Sequence, residues 1–104
     1  MKIFRRDQAL SDLADHAFYL AQDDSDVADR FLDAFENTVE RLSQMPYIGT
    51  TYPSQNPACF GLRRWAIKGF EKYLIFYLVF GDAVDIIRVL HTSRDLERIL
   101  AEDE

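Results

Sequence analysis

The residues best equipped for chemistry are four cations and a histidine in the C-terminal half: Arg64, Lys68, Arg88, Arg94 and His91. Such a set could cut RNA without a metal. Cations would neutralise the phosphate while an imidazole moves protons at the 2′-hydroxyl or the leaving oxygen. The same cations, joined by Arg63, could instead grip a protein, because arginine is a frequent interface anchor. Each also has a plainer explanation. His91 closes an apolar run just before a turn, where a hydrogen-bonded structural histidine is common. Arg88 could pair internally with Asp85 or Asp95. Arg63 and Arg64 flank Trp65, so a cation–aromatic contact competes with simple solvation. His16 falls off the apolar stripe of its helix and is expected to face water. Cys59, in a loop beside Pro57 and Ala58, lacks a patterned base and reads as an inert thiol. Asp23, Asp24, Asp26, Asp29 and Asp33 lack the glycine and terminal glutamate of a calcium loop; they read as a helix cap with favourable first-turn acids. No metal site is expected.

The cations must be positioned by strands. Phe60–Ile67, Lys72–Phe80 and Ala83–His91 are short runs of β-branched and aromatic residues, and Gly81-Asp82 between the last two predicts a hairpin. Upstream, Asp7 is a plausible N-cap for a helix whose stripe is Leu10, Leu13, Ala14, Ala17, Phe18 and Ala21. Ala28, Phe31, Leu32, Phe35, Val39 and Leu42 mark a second helix, ending before Pro46. One domain is expected over 1–104: a strand at 1–6, a helical hairpin at 7–45, a loop at 46–59, a three-stranded meander at 60–91, and a helix and fraying tail at 92–104. The order is β-α-α-β-β-β-α, an α+β fold with a small antiparallel sheet on the hairpin. Alternation places Tyr73, Ile75, Tyr77 and Val79 on one side of the central strand and Leu74, Phe76, Leu78 and Phe80 on the other. Both sides are oily. The side away from the hairpin must therefore be covered by the terminal helix, a second copy or another protein.

Composition narrows the classes. The 104 residues carry a net charge of −6, which argues against broad nucleic-acid binding. The charge is uneven: residues 1–52 hold five Lys/Arg and ten Asp/Glu, whereas residues 60–94 hold six and three. No run approaches a membrane span of about 18 residues. The first residues lack an apolar leader, and a single cysteine fits a reducing cytoplasm.

With these residues placed, the chain resembles the ParE/RelE superfamily of type II toxins, most closely the ParE, or plasmid-stabilisation, branch. The likeness lies in Ala9–Leu13, Phe31–Leu42, Met45-Pro46-Tyr47-Ile48-Gly49, Gly61-Leu62-Arg63-Arg64, Tyr73–Tyr77 and, above all, Ile86–Asp95. The resemblance implies a hairpin-backed sheet and a cognate ParD-like antitoxin with a ribbon-helix-helix start, in a hetero-oligomeric complex. ParE-like members poison DNA gyrase; RelE-like members cut messenger RNA on the ribosome. RelE-like chains carry more lysines on the middle strands and usually a late tyrosine, whereas here Thr92 follows His91 and no tyrosine follows Tyr77. The expected function is therefore gyrase poisoning by protein contact, with no cofactor and no covalent step. Arg63, Arg64, Lys68, Arg88, Arg94 and the residues after Thr92 would meet the target. Phe18, Phe35, Trp65 and Tyr77 would line an apolar helix–sheet groove for the antitoxin. Two alternatives stand beside this: a ribosome-dependent nuclease using Arg64, Arg88, His91 and Arg94, and a non-toxic interaction domain that keeps only the fold.

Overall fold

The structure, a computed structural model, describes residues 1–102. Its elements are β1 (Lys2–Arg5), α1 (Asp7–Ala21), α2 (Ser25–Gln44), β2 (Thr50–Thr51), β3 (Arg63–Ile67), β4 (Phe70–Phe80), β5 (Ala83–His91) and α3 (Leu96–Glu102). The strands form one sheet in the order β1-β5-β4-β3-β2. β3, β4 and β5 make the expected meander, and Gly81 turns between β4 and β5 with φ +52°. Two features differ from expectation. β1 runs parallel to β5, so the sheet is mixed rather than wholly antiparallel. The segment expected as pure loop contributes β2, which pairs Thr50 with Arg64 and Thr51 with Arg63. Of the acidic tail expected to fray, Asp103 and Glu104 lie outside the described residues.

Both helices cover the same side of the sheet. Phe31, Phe35, Val39 and Leu42 of α2 meet Ile75, Tyr77, Val84, Ile86 and Val89 in the larger core. Burial of each large apolar side chain there contributes roughly 1.5–3 kcal/mol. Asp24 caps α2 by accepting from the Asp26 amide at 2.9 Å, as the acidic turn suggested. Asp7 does not cap α1. The cap position is Arg6, and Asp7 sits in the first turn, where its charge suits the helix dipole.

The buried face of α1 is also rotated from the expected stripe. Ala9, Asp12 and Leu13 are buried, whereas Leu10 is 44% and Phe18 70% exposed. Leu32 of α2 is likewise 38% exposed.

The far side of the sheet is covered by the chain itself. Cys59, Leu62 and Leu100 close over Phe76, Leu78, Ile87 and Leu90, with Leu96 and Ile99 packed against them. Asn56 donates from Nδ2 to the Leu100 carbonyl at 3.0 Å and ties the 52–62 segment to α3. Of the three covers considered, the terminal helix supplies this one. Phe4, Phe60 and Phe80 remain exposed.

One inserted residue sets the faces of β5. The register places Ile86 opposite Tyr77 and Arg88 opposite Phe76, leaving Ile87 as a β-bulge. Strict alternation would send Val84, Ile86 and Arg88 to one side. The bulge instead puts Val84, Ile86 and Val89 toward the helices and Ile87 and Leu90 toward α3.

Tyr77 anchors the chain leaving α2. Its hydroxyl donates to the Pro46 carbonyl at 2.8 Å and accepts from the Gly49 amide at 2.9 Å. A Cβ on Gly49 would collide with the Tyr77 ring and hydroxyl and with the Arg64 carbonyl. Gly49→Ala is therefore expected to cost about 1–3 kcal/mol by overpacking, read as a lower urea midpoint with an unchanged slope.

Candidate functional site

The site builds outward from the edge of β5. β1 ends at Arg5, opposite Ile86, so the rest of β5 on that side has no neighbouring strand. Helix α1 takes the strand's place. The carboxylate of Asp12 accepts from the Val89 amide at 3.0 Å, and His16, one turn later, donates from Nε2 to the Val89 carbonyl at 2.7 Å. Positions i and i+4 lie on one helical face, which lets two side chains copy a strand's donor–acceptor pair. The Asp12 carboxylate also receives Arg88 in a forked pair, Nε to Oδ2 at 2.8 Å and Nη2 to Oδ1 at 2.9 Å. The Arg88 and Asp12 side chains keep only 14% and 9% of their exposure. Arg88 thus has an internal partner, but neither acid proposed from the sequence: Asp85 is held by Arg6 at 2.9 Å, and Asp95 caps α3 through the Arg98 amide at 3.3 Å.

His16 is not the solvent-facing residue expected. Besides the Val89 bond, its ring stands edge-on to Tyr73 at 4.9 Å and to Phe31 at 6.2 Å. His91 flanks the other side of Tyr73, 4.8 Å between centroids. Its Nδ1 accepts from the Ser93 amide at 3.0 Å and lies 2.8 Å from the Ser93 hydroxyl, a turn built by the imidazole itself. An acceptor at Nδ1 requires the neutral ring. Burial, and then the nearby charges of His16 and Lys72, hold the His91 pKa below its ordinary value.

The five residues do not converge. Arg64, Phe76 and Arg88 lie in register across three strands, on the side facing α3, while His91 stands opposite Tyr73 on the helix side. Arg64 lies over the Tyr52 ring at 5.2 Å rather than against Trp65. Arg63 lies over Tyr47 at 5.0 Å and donates to the Gly49 carbonyl at 2.7 Å. Arg94 is exposed after the turn, and Lys68 is exposed in the β3–β4 turn. Of the aromatics expected to line a groove, Phe35 and Tyr77 are 1% and 0% exposed and belong to the core, so they offer no surface. Phe18 projects from the outer face of α1. Only Trp65, half-buried, lines a groove, together with Asn37, Thr38, Arg41 and Lys68.

Sequence spacing reveals neither Asp12 and Tyr52 as the partners of Arg88 and Arg64 nor His16 as the partner of the Val89 carbonyl. Asp12 and His16 carried one usable signal: two polar residues at i and i+4 interrupting a stripe whose neighbours, Ala9 and Leu13, are buried. No helix among the described residues is long and apolar enough to cross a membrane.

Comparison with known proteins places this geometry. The family model described as "ParE toxin of type II toxin-antitoxin system, parDE" matches residues 3–96. No curated protein sequence matches the chain. Among solved structures, a chain of the chromosomal ParDE TA system from P. aeruginosa superposes with a TM-score of 0.69 at 21% identity, covering 88% of this chain and 95% of that one.

Two outcomes test the edge. Asp12→Ala removes the forked carboxylate from a buried guanidinium and the acceptor from the Val89 amide and should cost about 3–5 kcal/mol in denaturant unfolding, much of it recovered in Asp12→Ala/Arg88→Met. For His91, a lowered folded pKa means the unfolded chain binds the proton first, so its contribution is full above about pH 6.5 and declines as pH falls through that value. In His91→Gln, the slope of stability against pH between about 5 and 7 should be shallower.

Proposed function

The chain belongs to the ParE toxin family of type II toxin–antitoxin systems, and from that premise we propose that it stops growth by gripping DNA gyrase, not by cutting RNA. One observation carries the second half of that statement. The groups that metal-free RNA cleavage would need are already committed within the fold, with Arg88 locked to Asp12 and the imidazole of His91 spent on Ser93. A nuclease needs acid, base and phosphate cations within reach of one scissile bond. Gripping a protein asks only for accessible cations and apolar surface: Arg94 and the ring of Phe60 are exposed, and Arg64 lies half-buried over Tyr52. Gyrase itself comes from resemblance to the ParE branch. The mechanism is stabilisation of the gyrase–cleaved-DNA state by contact, with the chain contributing no covalent chemistry.

The neutralising partner is a ParD-like antitoxin encoded alongside. The similar fold comes from a ParDE system, which supports an antitoxin partner here as well. Target contact falls to Arg64 and Arg94, with Arg63 and Lys68 beside them. Arg88 acts by holding β5 to α1.

Induction without the antitoxin should arrest growth and leave gyrase-linked breaks in the chromosome with messenger RNA intact. Codon-positioned message cleavage in an in-vitro translation reaction would refute this, and a harmless product at good expression would point to a bare interaction domain. Arg64→Glu/Arg94→Glu should abolish arrest with the fold retained: Arg94 is exposed, where replacements usually shift stability by under about 0.5 kcal/mol, and loss of the Arg64–Tyr52 contact adds about 0.5–1 kcal/mol.

A further inference from the structure

An ordered turn before β3 holds one aromatic ring out in water. Phe60 has φ −62° and ψ 128°, Gly61 has φ +83°, and the Leu62 amide donates to the Cys59 carbonyl at 3.0 Å. Those angles and that bond define a type II turn, with Phe60 at its first corner and Gly61 at the second, where a positive φ is required. Both feet of the turn are fixed. Cys59 and Leu62 are buried in the smaller core with Leu100, and the Asn56 side chain accepts from the Ala58 amide at 3.0 Å just upstream. The ring between those feet is 90% exposed. The backbone at Phe60 lies in the extended region open to every L residue, so the turn itself makes no demand for an aromatic one. A side chain held in place beforehand loses little freedom on binding, which suits it to anchor a contact.

Single apolar residues are common on protein surfaces, but Phe60 has company. β3 begins at Arg63, opposite Tyr77, so the turn lies at the end of the sheet toward which β4 runs on through Leu78 to Phe80. Phe80 is exposed and shares a side of β4 with Leu78, which packs in the core beneath α3. Phe4 pairs with Asp85, and Asp85 with Leu78, so the exposed Phe4 faces the same way. Asp85, between them, is neutralised by Arg6 at 2.9 Å.

Charge selects the occupant. No Lys, Arg, Asp or Glu occurs from Leu42 to Leu62. A ring wedged between bases needs neighbouring cations for the phosphates, and this stretch supplies none. A second copy would bring the same net charge of −6, which works against self-association. An uncharged aromatic knob fits an apolar pocket on a different protein.

We propose that Phe60 anchors the toxin's target contact, its ring seated in an apolar pocket of the target protein and Phe80 and Phe4 extending the apolar surface. This rests on the gripping of a target proposed above and adds the anchoring residue and the chemistry of the pocket that receives it.

Phe60→Ala and Phe60→Leu are induced without the antitoxin, and the purified chains are titrated against DNA gyrase holoenzyme. Phe60→Ala is expected to lose arrest and to bind gyrase at least about tenfold more weakly, with an unchanged urea midpoint, while Phe60→Leu recovers most of both. Full arrest or undiminished gyrase binding by Phe60→Ala would overturn the anchor. A lowered midpoint in that variant would also overturn it, by making the ring part of the fold. A parent chain that dimerises through Phe60, or that retards duplex DNA only when Phe60 is present, would overturn the protein pocket. If the parent arrests growth without binding gyrase, the choice of gyrase fails by itself, and arrest by Phe60→Ala still decides the anchor. A harmless parent chain would remove both.

Discussion

The structure depends on how the last third of β5 is held once β1 has run out. A bare amide and carbonyl at Val89 would lie beside a packed core, and an unpaired buried polar group costs about 1–3 kcal/mol. Asp12 and His16 meet both groups from one helical turn of α1. The same carboxylate neutralises Arg88 at the margin of the core through a forked pair. Helix α1 is thus fixed to the sheet by directional bonds as well as apolar packing. Those bonds specify its rotation, turning Phe18 and Leu10 outward.

This arrangement divides the arginines of the sheet between two tasks. Arg88 and Arg6 are matched to Asp12 and Asp85 and belong to the scaffold. Arg63 clamps the chain between α2 and β2 through Gly49. Arg64 lies on an aromatic face and Arg94 in solvent, neither committed to a carboxylate among the described residues. Uncommitted cations on an otherwise acidic protein are suited to recognising a surface, since local sign governs contact more than net charge does. The two chain-derived cores on either side of the sheet mean that this surface is displayed on a rigid platform, not assembled on binding.

Much of the fold was legible in the chain. The periodic stripe of α2 (Leu32 excepted), the Gly81 turn and the two-sided oiliness of β4 follow from residue type and spacing, and each is realised. The parallel pairing of β1 was not, because four residues carry no register information until the hydrogen-bonding partner is known. The rotation of α1 was hidden for a different reason: Asp12 and His16 are polar, and polarity says outward unless a partner 77 or 73 residues away is visible. For the site, the cations were picked out correctly as residue types. Their sorting into structural and exposed sets needed Asp12, Tyr52 and Ser93, none of which spacing connects to them. Phe35 and Tyr77 were misplaced because an aromatic residue in a dense apolar run carries no mark that distinguishes interior from rim.

The extra residue at Ile87 has a lasting effect on what changes this chain can accept. Side chains on either side of it are assigned to opposite layers by counting, so losing or gaining one residue there would turn Val89 away from the helices and carry the Val89 amide away from Asp12. Along β5, replacement of a side chain is tolerated but miscounting is not. Any drift in this part of the protein is confined to swaps of one side chain for another.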